Sequence, residues 1–421
     1  MADASGSAQT RGDLLIELGC EELPPKSLDI LRESLFSGFT EGLRSNNFAF
    51  DADASRAFST PRRLALLIGD VAGAQPDQVQ DRRGPSVQAA YDDEGNPTPA
   101  ALGFARSVGL DGSELGRQET AKGAWLHARV EQAGQPLDAL LYPILEQAIR
   151  QLPVPKPMRW GNNEFSFVRP VHWLIVLHGD RVIEGSLLGQ EAGRQTRGHR
   201  IHAPGPHEIR SGAQYESTLE NACVIADHDR RRQRIRALLE ETDSAVLIDD
   251  KLLAEVNNLV EWPSAVACTF EDEFLAVPHA ALVASMQDHQ KFFPVRDAND
   301  PDRVSNRFVA ISNVDSRDVD AVRDGYERVI RPRLADAAFF WDSDRKKSLA
   351  ERTGGLRDVV YQAKLGSLFE RSERIAAIGA WLAQALDADE AAVTRAARLA
   401  KCDLLTGMVG EFPDLQGTMG R

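Results

Sequence analysis

The spacing of apolar residues changes near residue 320, and this change constrains the fold more than any other feature of the 421-residue chain. Before it, short apolar runs with the length of strands, such as residues 13–19 and 62–71, alternate with stretches whose apolar residues recur every three or four positions. After it, only the helical spacing continues. The sequence therefore predicts an α+β multidomain protein, with mixed α/β N-terminal and middle domains followed by a mainly helical domain.

Composition divides the chain further. Small polar residues at the start predict a disordered tail, and a later stretch rich in Pro and Gly predicts a loop or linker. A boundary between domains is expected near 318–330, where the helical spacing takes over. The predicted order is a tail at 1–12, an N-terminal α+β segment at 13–75, a loop or linker at 76–98, a middle α+β region at 99–318 and a helical domain at 319–421.

Three carboxylates, Glu17, Glu21 and Glu22, lie at the end of the first predicted strand and are followed by two prolines. The apolar residues of the range 28–43 then recur at helical spacing, and Ser27 is the expected N-cap of that helix. The three acids suit either acid–base catalysis or the end of a strand and the approach to a helix. We favour the structural role over catalysis, and contact with a partner or RNA remains an alternative.

Charge and motifs exclude several classes of protein. The net charge of −14 argues against a protein that coats nucleic acid non-specifically, and DNA binding is not expected, but RNA can still bind one locally basic face. No apolar run approaches the roughly 20 residues of a membrane span, and four widely separated cysteines predict reduced thiols in a cytoplasmic protein.

The sequence contains no phosphate-binding loop, dinucleotide fingerprint, nucleophile elbow or HExxH motif. We therefore expect no catalytic residue and no cofactor in this chain.

Histidines are concentrated in "HRIHAPGPHEI", which contains His199, His202 and His207. Such spacing can hold a metal ion together with a carboxylate, but no Cys or Asp lies at a supporting interval. We favour a metal-free polar loop. The range 227–229, Asp-His-Asp, also resembles a metal pair, but it opens an arginine-rich helix, so capping of that helix is favoured.

Three segments interleave basic and aromatic residues: "FSTPRRLALLI", "PKPMRWGNNEFSFVRPVHW" and "RVIRPRLADAAFFWDSDRKK". Guanidinium groups donate two hydrogen bonds to one phosphate, and aromatic rings stack on bases, so these segments predict contacts with RNA. The alternative is that the aromatic rings pack in a core while the cations face solvent or form internal pairs, such as Arg333 with Asp336 and Arg345 with Asp342. Together with the arginines beside the histidines, the candidate RNA-binding residues are Arg62, Arg63, Lys156, Arg159, Arg169, Arg197, Arg200, Arg331, Arg333, Lys346 and Lys347.

Several longer motifs resemble one known family. They include "ELGCEELPPKSL", "STPRRLALLI", "KPMRWG", "TRGHR", "LVEWPSAV", "FLAVPHAALVASMQDHQKFFPV" and "KCDLLTGMVGEFPDLQGTMGR", in order from about residue 13 to residue 421. In these motifs the chain is similar to the beta subunits of bacterial-type heterotetrameric glycyl-tRNA synthetase. Beta subunits of this family continue past the last motif, so we expect the helical domain, which the resemblance identifies as HD-type, to be incomplete here.

The resemblance implies a division of labour between two kinds of subunit. The alpha subunit carries the catalytic core for ATP and glycine, whereas the beta subunit carries most of the tRNA-binding modules, and the middle region resembles an editing-type module. The implied partners are tRNA(Gly) and the alpha subunit, in a complex of two alpha and two beta chains. ATP and Mg are used by the holoenzyme, and no cofactor is bound by this chain. Two alternatives remain: an HD-type metal phosphohydrolase, although no histidine follows residue 290, and a scaffold that does not bind RNA.

Overall fold

The computed structural model describes residues 10–92, 95–120, 123–154 and 156–421. These residues form two compact units. Unit 1 contains the chain up to Arg200 together with Pro204–Ala222, and unit 2 contains Ile201–Ala203 together with Cys223–Arg421. Residues 1–9 of the predicted tail lie outside the described residues, and the first strand begins at Arg11, two residues before the predicted strand.

Unit 1 contains twelve strands and five α-helices among the described residues. In chain order they are β1 (Arg11–Cys20), α1 (Leu28–Ser45), β2 (Asp51–Thr60), β3 (Arg63–Ala72), β4 (Gln78–Ser86), α2 (Val87–Ala90), α3 (Pro99–Val108), β5 (Gly116–Thr120), β6 (Gly123–Gln132), α4 (Leu137–Arg150), β7 (Val171–His178), β8 (Arg181–Val182), β9 (Ser186–Leu187), β10 (Gln190–Gly193), β11 (Gln195–Arg197), β12 (Pro206–Glu208) and α5 (Tyr215–Asn221).

The main sheet of unit 1 has the strand order β2-β3-β1-β7-β10-β9, with β8 paired to β7. Strand β1 is central and runs antiparallel to β3 and β7. Because side chains alternate along a strand, Leu14, Ile16 and Leu18 share one face, and they pack in a core with the apolar residues of α1 and α4. Glu17 therefore points to the opposite face of the sheet.

A second, three-stranded sheet in unit 1 has the order β4-β6-β5. Ala90 and Ala101 of its two helices pack on Leu126 of β6. The prediction of a loop at 76–98 is therefore wrong for most of that range, because β4 and α2 occupy it. The polar residues of β4 lie on a strand at the edge of the sheet, so no alternation of apolar residues marks it in the sequence.

Unit 2 contains five strands and eight α-helices among the described residues. In chain order they are α6 (His228–Thr242), α7 (Asp250–Asn257), β13 (Ser264–Thr269), α8 (His279–Ala284), β14 (Phe293–Arg296), β15 (Val304–Ser312), α9 (Val319–Asp344), α10 (Leu349–Arg352), β16 (Val360–Gln362), β17 (Gly366–Ser367), α11 (Leu368–Ala385), α12 (Glu390–Leu399) and α13 (Gly407–Glu411).

The long helix α9 belongs to the same core as the sheet β13-β15-β14. Ile330 and Leu334 of α9 are fully buried and lie in one cluster with Phe308 of β15. The predicted boundary near 318–330 is therefore wrong as a division between compact units, because the apolar face of the helix is buried with the preceding strands. The division instead follows Ala222, inside the range predicted as one middle region.

Two predicted helix caps have different outcomes. The Asp227 carboxylate accepts a hydrogen bond from the Arg230 backbone N–H at 2.9 Å, which confirms its role as the N-cap of α6. Ser27 precedes α1 but makes no capping hydrogen bond through its side chain. The apolar face predicted for that helix is confirmed, since its residues from Leu28 to Leu43 at helical spacing are buried. No helix among the described residues is both long enough and apolar enough to cross a membrane.

Candidate functional site

Two arginines at the turn between β2 and β3 hold the backbone of strand β11 and its continuation. The Arg63 guanidinium donates to the Arg197 carbonyl oxygen at 2.8 Å, and that of Arg62 donates to the Gly198 carbonyl oxygen at 2.7 Å. Arg63 is fully buried and Arg62 is 8% exposed. The donors of Arg63, one of the candidate RNA-binding residues, are therefore used inside the protein.

The buried carboxylate of Glu17 lies beneath this contact. Its Oε1 accepts hydrogen bonds from the Trp173 indole N–H and the Thr196 hydroxyl, both at 2.5 Å. Its Oε2 accepts one from the Tyr215 hydroxyl at 2.5 Å and lies 3.4 Å from Nη1 of Arg63. Burial, and then the Glu17 charge, raise the pKa of the Tyr215 hydroxyl well above its ordinary value, so Tyr215 stays a donor. Glu17 is thus an internal counter-ion in the middle of a strand, and it does not end the strand.

Glu21 and Glu22 lie at the surface and contact basic side chains. Glu21 lies 2.9 Å from Nε2 of His172 and 3.3 Å from Nη2 of Arg200, and Glu22 lies 3.2 Å from Nη1 of the same arginine. All four side chains are about half-exposed. The Arg200 charge is therefore compensated by two carboxylates.

These residues border a surface groove around Trp173, which we call the Trp173 groove. One part of it, about 460 Å³, is lined by cationic residues, and an adjoining part, about 540 Å³, is lined mainly by polar residues. The guanidinium of Arg197 lies 5.8 Å from the centre of the Trp173 ring and lines both parts. Arg197 is exposed, and its guanidinium makes no ion pair or hydrogen bond with the residues that the structure describes. It can therefore bind an anion without first losing a partner.

Three other candidates of unit 1 lie between α4 and β7. Lys156 and Arg159 are exposed, whereas Arg169 is partly buried and donates to its neighbour's carbonyl oxygen at 2.9 Å. The aromatic rings of this segment pack inside the unit, with Trp160 edge-on to Phe165 at 5.0 Å. Here the alternative interpretation, in which the aromatic rings pack internally and the cations face solvent, agrees with the geometry.

The candidates of unit 2 lie on α9 and just after it. Nε of Arg331 lies 2.5 Å from Glu271, and that carboxyl has a pKa lowered by its own backbone hydrogen bond and then by Arg331. Arg333, Lys346 and Lys347 are exposed. Within the described part of the chain neither internal pair proposed for this segment forms, and the Arg345 guanidinium instead lies over the Trp341 ring at 5.6 Å.

The histidine-rich stretch does not form a metal centre among the residues that are described. His199 is buried, and Nε2 of His202 accepts a hydrogen bond from the Asp315 backbone N–H at 3.0 Å. In those parts of the chain no group of three or more His, Cys, Asp or Glu side chains has an arrangement suited to a metal ion.

The structure therefore brings together four of the eleven candidates, Arg62, Arg63, Arg197 and Arg200, and it places the other seven elsewhere. Sequence reasoning missed the polar residues of the second part of the groove, which are Gln190, Arg194 and Gln195. Their stretch carries no motif. The only local signal was the aromatic and basic segment that ends at Trp173.

Comparisons with known proteins agree with the resemblance. A family model described as glycyl-tRNA synthetase beta subunit matches residues 14–421. Curated relatives named glycine–tRNA ligase beta subunit are 48% identical in Chromohalobacter salexigens, 46% in Marinobacter nauticus and 44% in Hahella chejuensis. Each alignment covers 97% of this chain but 59% of the relative, so the chain spans about three fifths of their length. The chain belongs to the glycyl-tRNA synthetase beta subunit family.

Proposed function

We propose that this chain acts as the beta subunit of a glycine–tRNA ligase, in which it binds tRNA(Gly) and the catalytic alpha subunit and so supports ATP-dependent attachment of glycine. The observation that carries the proposal is the family match over residues 14–421. In the proposed complex of two alpha and two beta chains, the alpha subunit uses ATP and Mg, and the complex works in the cytoplasm. The helical part of the chain that follows residue 319 is HD-type in this proposal.

The surface chemistry of unit 1 supports a role in binding RNA. Arg197 is an exposed guanidinium that makes no ion pair with described residues, and it lies at the centre of a concave groove. Phosphate contacts need such cations locally, whatever the net charge of the chain. An HD-type hydrolase needs several His and Asp ligands, and the described residues offer no such group.

Glycylation of a tRNA(Gly) transcript by the purified alpha subunit, with and without this chain, tests the proposal. We expect activity that depends on the chain, together with co-purification of the two. The matched RNA measurement is tRNA affinity at several salt concentrations for the double variant Lys346→Ala/Lys347→Ala and for Arg106→Ala, an exposed arginine outside the candidate set. Removing a side chain that binds one phosphate should lower the slope of log affinity against log salt by about one unit. Alpha subunit that is equally active without the chain would refute the proposal.

A further inference from the structure

The two parts of the Trp173 groove differ in chemistry. The first, which we call the cationic lobe, is lined by Arg62, Arg197, Arg200 and Glu21 among others. The second, which we call the amide lobe, is lined by Gln190, Glu191, Arg194 and Gln195 among others. His172, Trp173 and Arg197 line both lobes, so the lobes meet at the Trp173 ring.

We propose that the Trp173 groove binds one unpaired nucleotide of RNA, with the phosphate in the cationic lobe and the base in the amide lobe. The inference rests on the proposed function, because it names the part of the RNA that this surface takes. A nucleotide joins one anionic group to one uncharged polar ring. The cationic lobe offers three arginines for the anionic group, and the amide lobe offers two glutamine side chains for the ring.

Arg197 is the residue that binds the phosphate. Arg62 donates to a backbone carbonyl oxygen, and Arg200 is paired with Glu21 and Glu22. The Arg197 guanidinium has no such partner among the described residues, and its planar fork matches two phosphate oxygens. The Arg197 carbonyl oxygen accepts a hydrogen bond from Arg63, and the preceding Thr196 hydroxyl donates to Glu17. These buried contacts fix the position of β11, the strand that carries Arg197.

The shape and the mixed charge of the groove favour an unpaired ribonucleotide. An A-form duplex keeps the Watson–Crick edges of its bases paired inside the helix, so it cannot place one base and its phosphate together in a groove of this size. In the amide lobe, the exposed Gln195 amide can both donate to and accept from a base edge. The half-exposed Glu21 carboxylate repels a second phosphate but accepts a hydrogen bond from a ribose 2′-hydroxyl, which DNA lacks.

The test is competition against a fluorescent tRNA(Gly) transcript bound by the chain together with its alpha subunit. The competitors are a short single-stranded adenylate RNA, its DNA counterpart, a blunt RNA duplex and AMP. We expect the single-stranded RNA to displace the transcript best. A duplex or DNA strand that competes equally well would overturn the assignment to an unpaired ribonucleotide. AMP that competes as well as the RNA strand would identify a free nucleotide as the ligand and would also overturn it.

Variants then locate the site. Arg197→Ala should weaken tRNA binding about tenfold, as expected for a charged hydrogen bond, and lower the salt slope by about one unit. Arg197→Lys should keep the slope and recover part of the affinity, and Gln195→Ala should weaken competition by the single strand without changing the slope. Arg106→Ala is the control for loss of one exposed charge. If Arg197→Ala binds tRNA like the unchanged protein, the groove is not the site while the proposed function stands. If the unchanged protein binds no tRNA, both fail.

Discussion

Glu17 is a charged residue at a position that apolar residues usually occupy. It is fully buried, and it lies on the central strand of the main sheet. An isolated carboxylate in such a place costs several kcal/mol, and a close cation with further hydrogen bonds offsets that cost. Arg63 supplies the cation, and Trp173, Thr196 and Tyr215 supply the remaining donors. The sequence could place Glu17 in or near a strand, but its four partners come from distant positions in the chain. Local spacing therefore could not predict the network.

The first prediction removes the charge of this carboxylate. Glu17→Gln leaves Arg63 buried without its counter-ion, so we expect a loss of about 3–5 kcal/mol in the free energy of unfolding, measured with urea. The double variant Glu17→Gln/Arg63→Met should recover part of that loss, because no unpaired charge remains. Glu22→Gln breaks a half-exposed pair and should cost less than about 1 kcal/mol. Equal costs for Glu17→Gln and Glu22→Gln would contradict the role given to Glu17.

The second prediction concerns Gly19, which is the direct neighbour of Trp173 across strands β1 and β7. A Cβ atom at Gly19 would overlap the indole ring. We expect Gly19→Ala to lower the free energy of unfolding by about 1–3 kcal/mol, because the Trp173 indole must shift away from β1 to make room for the added Cβ atom. Gly103→Ala is the matched control, since that glycine lies in α3 with nothing within 4 Å of its added Cβ. The control should be stabilised by up to about 1 kcal/mol through helix propensity. If Gly19→Ala and Gly103→Ala had the same stability, the Trp173 ring would not require a glycine at position 19.

At the scale of elements, the periodicity of apolar residues predicted helices and strands that have a face in a core. It missed strands that have no such apolar repeat. The buried face of α1 was predicted because its apolar residues follow the helical repeat. The hairpin from β7 to β8 turns at Gly179, where φ is +64°, a conformation that glycine adopts without strain. Strand β4 was missed because it is polar, and β11 because three residues are too few to show a repeat. Both strands depend on tertiary partners for their position.

The third prediction uses the contact between helix α8 and strand β15. The Val304 backbone N–H donates to Nδ1 of His279 at 3.1 Å, which requires an unprotonated Nδ1. Burial, and then the charge of Arg303, lower the pKa of His279 below its ordinary value of about 6.5. Below that pH the unfolded chain binds a proton that the folded chain does not, so the free energy of unfolding falls as the pH falls.

His279→Asn keeps an acceptor near the position of Nδ1 but does not titrate. Urea unfolding at about pH 7.5 and about pH 5.5 should therefore show a smaller loss of stability on acidification in the variant than in the unchanged protein. The other histidines are common to both proteins, so their contributions cancel in the comparison. An identical pH dependence of the two proteins would mean that His279 titrates alike in the folded and unfolded chains.

At the scale of the whole molecule, the sequence predicted the α+β class and misplaced the division between units. The apolar face of α9 shows that the helix packs on something, but a helical repeat does not say on what. The structure buries that face with Phe308 of a preceding strand, so the change of periodicity near residue 320 marks a change of element type within one unit. The candidate cations were found by composition. Only the fold could separate Arg63, which is internal, from Arg197, which faces the groove.

The last prediction follows from the division of labour proposed for the complex. The sequence has no nucleotide-binding motif, and the cations that the structure brings together hold a strand or face the Trp173 groove. We therefore expect the purified chain to catalyse no glycine-dependent exchange of pyrophosphate into ATP. Adding the alpha subunit should give exchange, and an Arg197→Ala chain should give the same exchange rate, because activation of glycine needs no RNA. The same variant should lower glycylation of tRNA(Gly) at limiting tRNA. Exchange by the chain alone would place an ATP site in it, whereas a loss of exchange with Arg197→Ala would mean that this surface acts on the alpha subunit and not on the tRNA.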